Sequence, residues 1–211
     1  FRDYDVIFLQ KRLISPLEIR VVSHFTKKLV FDFDDAIYYR PDSADKPLVS
    51  RTRYRKFKQV ARKADLVIAG NRILAEFAAQ FNKRVIVIPS AVETRNVPVK
   101  DHHNPSDKTI IGWVGGEGNL HHLSLLAQVF RLLSQKYPIQ VRILSSKGLE
   151  MPGVDVLHVP WSVETQEREI AAFDIGVMPL PKNEYTQGKC GYKALQYMAA
   201  GVPPVVSDVG I

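Results

Sequence analysis

The chain has 211 residues, of which 45% are hydrophobic and 24% are charged. This length suits one large or two small globular domains, and the composition rules out a disordered chain, collagen and a coiled coil. Cys190 is the single cysteine, which rules out an internal disulfide and multi-thiolate metal sites and makes a cytoplasmic location the simplest interpretation. No apolar run approaches the ~20 residues that span a bilayer, and residues 1–4 carry no signal-peptide pattern. The formal net charge of +7 favours anionic partners, which include phosphate ligands, nucleic acid and lipid headgroups.

Short apolar runs alternate with segments of helical period, a pattern typical of parallel strands joined by crossover helices. The first half predicts, in order, a strand at 5–9, a helix at 15–25, a strand at 28–33, a basic helix at 50–64, a strand at 65–69, a helix ending at 81 and a strand at 84–88. The second half predicts a strand at 109–114, a helix at 120–135, strands at 140–145 and 154–159, a helix at 163–173, a strand at 174–178, a helix at 191–200 and a strand at 205–206. The predicted fold class is α/β with two Rossmann-like parallel-sheet domains.

The domain division follows from a polar stretch rich in turn formers between the two halves. We predict a first domain at 1–94, a linker at 95–107 and a second domain at 108–211. Each half looks incomplete, because the first shows only four strands and the second stops directly after a strand, whereas a doubly wound sheet usually has five or six. The chain is therefore expected to be the central portion of a longer protein.

The sharpest local pattern is the strand at 109–114 followed by Gly115, Gly116 and Gly118 and then a helix. Glycine lets the backbone approach a ligand, and the start of a helix offers free N–H groups and the positive end of the dipole, which together suit a diphosphate. The spacing matches neither the dinucleotide fingerprint nor the P-loop. A tight turn without a ligand is therefore an alternative interpretation of this pattern.

A second pattern places Lys189 between Gly188 and Gly191, immediately before a helix that ends at Gly201. An ammonium beside the backbone N–H groups of a helix start is typical of an anion site. The whole segment 188–207 resembles the donor-binding motif of family 4 glycosyltransferases of the GT-B fold, whose helix typically reads Leu-Glu-Ala-Met-Ala-x-Gly-x-Pro-Val-Val. Residues 65–71 and 85–93 look like the last strands of that family's N-terminal domain, and 112–116 look like the first strand and turn of its donor domain.

The resemblance covers residues 60 to 211 well and implies a glycosyltransferase with two Rossmann-like domains facing each other. Such enzymes move a sugar from a nucleotide-sugar to an acceptor, generally with retention of configuration and without an obligatory metal. We expect a UDP- or GDP-linked donor as substrate, no other cofactor, and a sugar or lipid-linked acceptor in the synthesis of cell envelope polysaccharide or glycolipid. The donor is expected between an acceptor domain at 1–94 and a donor domain at 108–211, so residues 1–211 alone are expected to be inactive.

The sequence departs from the family at four site positions. Gly188 and Gln196 stand where the Glu-x7-Glu motif has carboxylates, and Gly116 and His121 stand where the phosphate loop has Arg and Lys. Lys189 is then the predicted cation for the leaving diphosphate, with Lys193 behind it, and Gln196 is predicted to hold the ribose hydroxyls. The predicted donor-binding residues are Gly115, Gly116, His121, Lys189, Gly191, Lys193 and Gln196. The predicted catalytic residues are Lys189, Asp34 and Asp35.

The cluster Asp32-Phe33-Asp34-Asp35 allows three interpretations. Carboxylates at a strand end are ligands for Mg2+ or Mn2+, but the carboxyl ends of parallel strands also line the ligand crevice without any metal. Acceptor binding or active-site support is therefore the second interpretation, and helix capping with solvation is the third. Of these, the sequence favours a role at the acceptor without a metal.

Seven cations lie in a single predicted helix and are Arg51, Arg53, Arg55, Lys56, Lys58, Arg62 and Lys63. Helical spacing places Tyr54, Phe57 and Ala61 on one face, as in helices that lie on anionic membrane surfaces. A helix that binds nucleic acid, or a plain exposed basic helix, has the same pattern. We expect peripheral contact with the inner face of the cell membrane and no nucleic-acid partner.

Two further points complete the sequence predictions. Trp113 and Trp161 are expected to be packing residues. Because both family carboxylates are missing, the alternative function is a non-catalytic sugar-nucleotide or nucleic-acid binding module of the same fold.

Overall fold

The computed structural model describes residues 4–42, 47–103 and 107–211, so residues 1–3 and part of the predicted linker, 104–106, lie outside the described residues. The chain divides into two compact units. Unit 1 consists of Phe1–Ser90, Lys182–Cys190 and Val209–Ile211, and unit 2 consists of Ala91–Pro181 and Gly191–Asp208. The sequence division assigned everything after residue 107 to one domain, whereas two short later segments belong to unit 1. The first of these segments is held in unit 1 by contacts between residues far apart in the chain, such as the bonds from Asn71 to Gly188 and Lys189, which local sequence patterns do not indicate.

Unit 1 is a four-stranded parallel sheet in the order β1-β2-β3-β4, with a helix in each connection. Its elements are β1 (Val6–Gln10), α1 (Pro16–Phe25), β2 (Lys28–Phe33), α2 (Arg51–Lys63), β3 (Leu66–Ala69), α3 (Arg72–Ala79) and β4 (Val85–Val87). Each helix begins where its sequence supplies a cap. The side chains of Ser15, Ser50 and Asn71 accept the backbone N–H three residues later, which satisfies one donor that the helix itself leaves unpaired.

The core of unit 1 lies between one face of this sheet and its helices. Leu29, Phe31 and Phe33 of β2 are buried there with Phe57 and Val60 of α2. Strands in sequential order joined by right-handed crossovers place successive helices on the same face of a sheet, which agrees with this single core cluster. The other face leaves apolar side chains exposed, among them Val6, Phe8 and Ile86.

Helix α2 packs its apolar face into this core. Phe57 and Ala61 are fully buried, and the Phe57 ring lies 5.0 Å from the Phe33 ring and 5.5 Å from the Phe31 ring between centroids. The apolar face that the sequence assigned to a membrane surface is therefore occupied by the sheet. Arg51, Arg55 and Arg62 lie on the opposite side, whereas Arg53 is half-buried and donates to the Ile37 carbonyl at 2.8 Å. Among the described residues, no helix combines the length and the apolar character needed to cross a membrane.

Unit 2 is a five-stranded parallel sheet in the order β7-β6-β5-β8-β9. Its elements are β5 (Thr109–Val114), a 3-10 helix (Glu117–Leu126), α4 (Ala127–Ser134), β6 (Ile139–Ser145), β7 (Val156–Pro160), α5 (Gln166–Ala171), β8 (Ile175–Met178), α6 (Tyr192–Ala199) and β9 (Pro204–Val206). The predicted helix at 120–135 is thus divided into a 3-10 segment and a shorter α-helix. Gly118 and Asn119 have low helix propensity, which explains the tighter, irregular start.

The strand order reverses at β5, which pairs with β6 on one side and with β8 on the other. The pairing of β5 with β8 covers only the pairs Ile111–Ile175 and Gly112–Gly176. Where this ladder ends, the buried Tyr197 hydroxyl accepts the Val114 N–H and donates to the Val177 carbonyl, both at 3.2 Å. In an open α/β sheet, the carboxyl ends of strands at such a reversal form the usual ligand crevice. The predicted fold class, parallel α/β in both halves, is confirmed.

Candidate functional site

The glycine turn lies directly after β5, and its two glycines differ in the space around them. A Cβ on Gly115 would lie 2.7 Å from the Trp113 ring and 2.8 Å from Cε of Lys193, so packing requires glycine there. A Cβ on Gly116 would meet no atom within 4 Å, and its φ of −69° suits any residue. Neither space nor backbone conformation therefore requires glycine at 116. Its backbone is open to a ligand from the side where a side chain would project.

A cavity of about 410 Å3 opens at this turn, within unit 2. It is lined by Val114, Gly115, Gly116, Ser146, Trp161, Gln166, Tyr192, Lys193 and Gln196. The lining comes from the residues that follow β5, β6 and β7 and from α5 and α6. Four of the predicted donor-binding residues, Gly115, Gly116, Lys193 and Gln196, therefore lie together around one cavity. The volume is within the ordinary range for small-molecule sites, roughly 300 to 1,000 Å3.

Helix α6 positions two of these side chains. Lys193 and Gln196 are three residues apart and so project from neighbouring positions on one side of the helix. The Lys193 ammonium lies 5.8 Å from the centroid of the Trp113 ring, which places a cation beside the glycine turn. Gly191, at the start of α6, has a φ of 65°, a left-handed conformation that glycine adopts without strain. Gly191 thus shapes the entry to the helix, and it does not line the cavity.

Trp161 is the largest lining residue and was expected to be a packing residue. Its side chain is 46% exposed, whereas Trp113 is 1% exposed and packs in the core as expected. The sequence missed Trp161 because it lies in a loop after β7, where no local motif marks a ligand contact. Gln166 and Tyr192, the first residues of α5 and α6, also line the cavity and were not predicted as ligand contacts. An exposed tryptophan just after a predicted strand of an α/β sheet is the signal that points to it.

A smaller cavity of about 100 Å3 adjoins the first. Gln166, Tyr192 and Gln196 line both cavities. The small cavity adds the carboxylates of Glu93 and Glu167 to its lining. Carboxylates accept hydrogen bonds from hydroxyl groups, so the end of the site near Gln196 is chemically suited to a polyhydroxylated ligand.

Lys189 belongs to unit 1 and is not among the residues that line this cavity. Its ammonium is 3.1 Å from the Asp35 carboxylate and 4.9 Å from the centroid of the Tyr185 ring, and its side chain is 17% exposed. Burial acts to lower the pKa of Lys189, but Asp35 and then Tyr185 outweigh it, and the pKa is raised above its ordinary value. Lys189 is therefore a charged lysine whose nearest anion is a carboxylate of its own unit.

The segment that carries Lys189 is held in unit 1 by Asn71. The Asn71 side-chain NH2 donates to the carbonyl of Gly188 at 3.1 Å and to that of Lys189 at 3.4 Å. A Cβ on Gly188 would lie 2.8 Å from Cβ of Ala36, so glycine permits this close packing. The adjoining Cys190 is buried, and burial raises the pKa of its thiol, which stays protonated.

The aspartate cluster of β2 is also paired with lysines in unit 1. Lys11 forms ion pairs with Asp34 and with Asp35, the latter at 3.5 Å, and Lys189 pairs with Asp35 on another side. The carboxylates are thus matched by ammonium groups. His121 is exposed, lies against the ring of His122 with centroids 4.1 Å apart, and does not line the 410 Å3 cavity.

No family model and no curated protein matches the sequence. Solved structures do match the fold. TarM aligns with a TM-score of 0.68 and 13% identity, over 98% of this chain and 41% of TarM. The pneumococcal O-GlcNAc transferase GtfA, solved with UDP and GlcNAc, aligns with a TM-score of 0.64 and 13% identity, over 98% of this chain and 42% of GtfA.

The catalytic domain of Starch Synthase IV from Arabidopsis thaliana, solved with ADP and acarbose, aligns with a TM-score of 0.62 and 12% identity. That alignment covers 98% of this chain and 57% of the plant domain. The chain thus spans between about two fifths and three fifths of the length of these neighbours. At this level of identity the likeness establishes the fold, and the predicted GT-B fold is confirmed.

We expect the two glycines of the turn to respond differently to alanine. Gly115→Ala should lower the free energy of unfolding by about 1–3 kcal/mol, because the new methyl overlaps Trp113 and the Lys193 side chain. Gly116→Ala should leave stability unchanged or raise it by up to about 1 kcal/mol, because space and φ are both permissive. Urea unfolding measures both, with Gly118→Ala, another open position, as the control. Equal losses in the two variants would show that the turn is packed differently.

Proposed function

We propose that this protein is a glycosyltransferase that moves a sugar from a nucleotide-sugar donor to an acceptor, and that the donor binds in the 410 Å3 cavity of unit 2. The observation that supports the proposal is the convergence of Gly115, Gly116, Lys193 and Gln196 on one cavity at the carboxyl ends of a GT-B sheet. The sequence predicted these residues as donor ligands from separate motifs, and all four line this one cavity.

The diphosphate is assigned to the end of the cavity formed by the glycine turn and Lys193. The open side of Gly116 lets phosphate oxygens approach the backbone. The Lys193 ammonium supplies positive charge where the nucleoside diphosphate leaves, which is the principal electrostatic task in this reaction. Gln196 presents an amide to the ribose hydroxyls, in place of the family's carboxylate.

We assign binding of the acceptor to unit 1. Asp34 and Asp35 are proposed as its functional residues. Lys189, which the sequence predicted as the diphosphate cation, belongs to the same unit. Because Lys193 lines the cavity and Lys189 does not, we assign the main diphosphate cation to Lys193. His121 is left as a secondary candidate for a phosphate contact. The transfer is proposed to proceed with retention, in the synthesis of cell envelope polysaccharide or glycolipid, with a UDP- or GDP-linked donor.

The reaction is proposed not to need a divalent metal. In unit 1, the ammonium groups of Lys11 and Lys189 already pair with the carboxylates of Asp34 and Asp35. A cation bound there would have to displace these partners. A non-catalytic sugar-nucleotide binding module is the rival function, because Gly188 and Gln196 lack the family's carboxylates.

A transfer assay tests the proposed reaction and separates it from the rival. The protein in its full length is incubated with UDP- and GDP-sugars and a mixture of lipid-linked and free sugar acceptors, with EDTA present. We expect release of nucleoside diphosphate that depends on the acceptor and is undiminished by EDTA. Binding of donor without release would favour the binding module, and activity that EDTA abolishes and Mn2+ restores would overturn the metal-free mechanism.

The two lysines are distinguished by nucleotide binding. Lys193→Met should weaken nucleoside diphosphate binding roughly ten- to a hundredfold, the effect of one charge-assisted bond, and change nucleoside binding less than about twofold. Lys189→Met should have a smaller effect on diphosphate binding, because Lys189 does not line the cavity. Calorimetry with UDP, GDP and their nucleosides measures both.

Lys136→Met is the matched control, because Lys136 is an exposed lysine of unit 2 outside the cavity. A larger loss of diphosphate affinity in Lys189→Met than in Lys193→Met would show that Lys189 supplies the main cation, as the sequence predicted.

We further propose that α2 contacts anionic membrane surfaces through its outer side. Four cations recur at helical spacing on the side of α2 opposite the buried Phe57, and they are Arg51, Arg55, Lys58 and Arg62. Since the apolar face of α2 is packed in the core, this contact is electrostatic and salt-sensitive. A cytoplasmic location at the inner face of the membrane accords with such a contact.

Removing two cations from α2 should weaken binding to anionic vesicles. At about 1 kcal/mol per cation near the surface, Arg55→Gln/Arg62→Gln should lower the vesicle partition coefficient roughly thirtyfold. The control pair Arg131→Gln/Lys136→Gln removes the same charge from an exposed part of unit 2 and should have little effect. Flotation with phosphatidylserine and phosphatidylcholine vesicles measures both. Equal losses in the two pairs, or equal binding to both lipids, would contradict a specific role of α2.

A further inference from the structure

Trp161 is an exposed aromatic residue inside a cavity. It lies directly after β7, lines the 410 Å3 cavity and leaves 46% of its side chain accessible. Leaving so much apolar surface in water forgoes the stabilisation that burial of the indole would bring. A ligand that covers the indole would recover this free energy on binding.

The indole is held in place rather than mobile on the surface. Its Nε1–H donates to the side-chain oxygen of Gln166 at 3.2 Å, and its backbone N–H donates to the carbonyl of Ser145 at 3.1 Å. These bonds fix the ring to the start of α5 and to the end of β6. A preformed platform of this kind loses little conformational entropy when a flat ligand stacks on it.

The position of Trp161 gives the cavity two chemically different ends. Gly116 follows β5 and Trp161 follows β7, and β6 lies between them in the sheet, so the two strand ends are about two strand spacings, roughly 10 Å, apart. The glycine end has the Lys193 cation, and the other end has an aromatic ring with the Gln166 amide. A nucleoside diphosphate has the same polarity, with an anionic diphosphate at one end and a flat aromatic base at the other.

From this arrangement we infer that Trp161 is the stacking platform for the nucleobase of the donor, and thus a binding residue of the site. The inference rests on the proposed function, because it assigns the second end of the same donor cavity. The base stacks on the indole, and the diphosphate extends to Gly116 and Lys193. Gln166 acts as a positioning residue, because its bond to Nε1 sets the orientation of the ring.

Binding of nucleotides and of a base-free anion distinguishes this role from plain packing. Trp161→Leu should weaken binding of UDP or GDP roughly five- to a hundredfold, the range observed for loss of one stacked base, and leave inorganic pyrophosphate within about twofold. Trp161→Phe, which keeps a ring, should lose less. Tyr137→Leu is the matched control, since Tyr137 is an exposed aromatic residue of unit 2 outside the cavity. Calorimetry on the full-length protein measures these affinities.

Tryptophan fluorescence provides a second readout that does not depend on the leucine variant folding. Trp113 is buried in the core, so a stacked base should quench chiefly the emission of Trp161. UDP or GDP should therefore quench the wild-type protein, pyrophosphate should not, and the quenching should disappear in Trp161→Phe. Quenching that persists in Trp161→Phe would overturn the inference.

Three binding results would overturn the platform role. These are unchanged nucleotide affinity in Trp161→Leu, equal losses for nucleotide and pyrophosphate, and a loss confined to nucleotide-sugars, which would mean that the sugar ring covers the indole. If the wild type binds nucleotides and transfers sugar in any of these cases, the proposed function stands and the platform alone fails. If the wild type binds no nucleoside diphosphate, the proposed function and the platform both fail.

Discussion

The 410 Å3 cavity of unit 2 depends on the way Tyr197 holds the two halves of the second sheet. Beyond Gly112 and Gly176 the ladder between β5 and β8 stops, and the Tyr197 hydroxyl bonds to both strands in its place. A Cβ on Gly176 would lie 2.4 Å from the Tyr197 ring, so glycine permits the ring to pack on β8. Because Tyr197 anchors α6 to both strands, it also sets the positions of Lys193 and Gln196, which project from the same helix into the cavity. One buried hydroxyl thus satisfies two backbone groups and orients the cation of the site.

The distribution of charge separates two roles that the sequence had combined. Lys189 is matched by Asp35, and Lys11 is matched by Asp34 and Asp35, so these four side chains form a nearly neutral cluster in unit 1. In unit 2, Lys193 lines a cavity with glycine backbone and amide side chains. The two lysines that the sequence predicted for one diphosphate thus belong to different units of the structure.

Helix α2 shows how an amphipathic pattern can be interpreted in two ways. The spacing of Tyr54, Phe57 and Ala61 is compatible with packing on a membrane surface or on a sheet. The structure shows Phe57 and Ala61 buried against β2. Packing on the core accounts for the apolar face, and four of the cations, Arg51, Arg55, Lys58 and Arg62, then form an outer stripe. The exposed face of the sheet in unit 1, with Val6 and Phe8, is by contrast an apolar surface that no amphipathic pattern marked.

The sequence by itself determined the parallel α/β class, most strand positions, the glycine turn and the pairing of Lys193 with Gln196 on one helix. These features depend on local periodicity, backbone conformation and spacing within a single element. Only the tertiary structure decided that Lys189 joins Asp35 in unit 1, that Trp161 lines the cavity, and that the helix after the turn begins as a 3-10 segment. The lysine and the tryptophan owe their places to contacts between segments far apart in the chain, such as the bonds from Asn71 to Gly188 and Lys189. Periodicity within one element carries no information about such contacts, because their free energy arises only when distant segments meet.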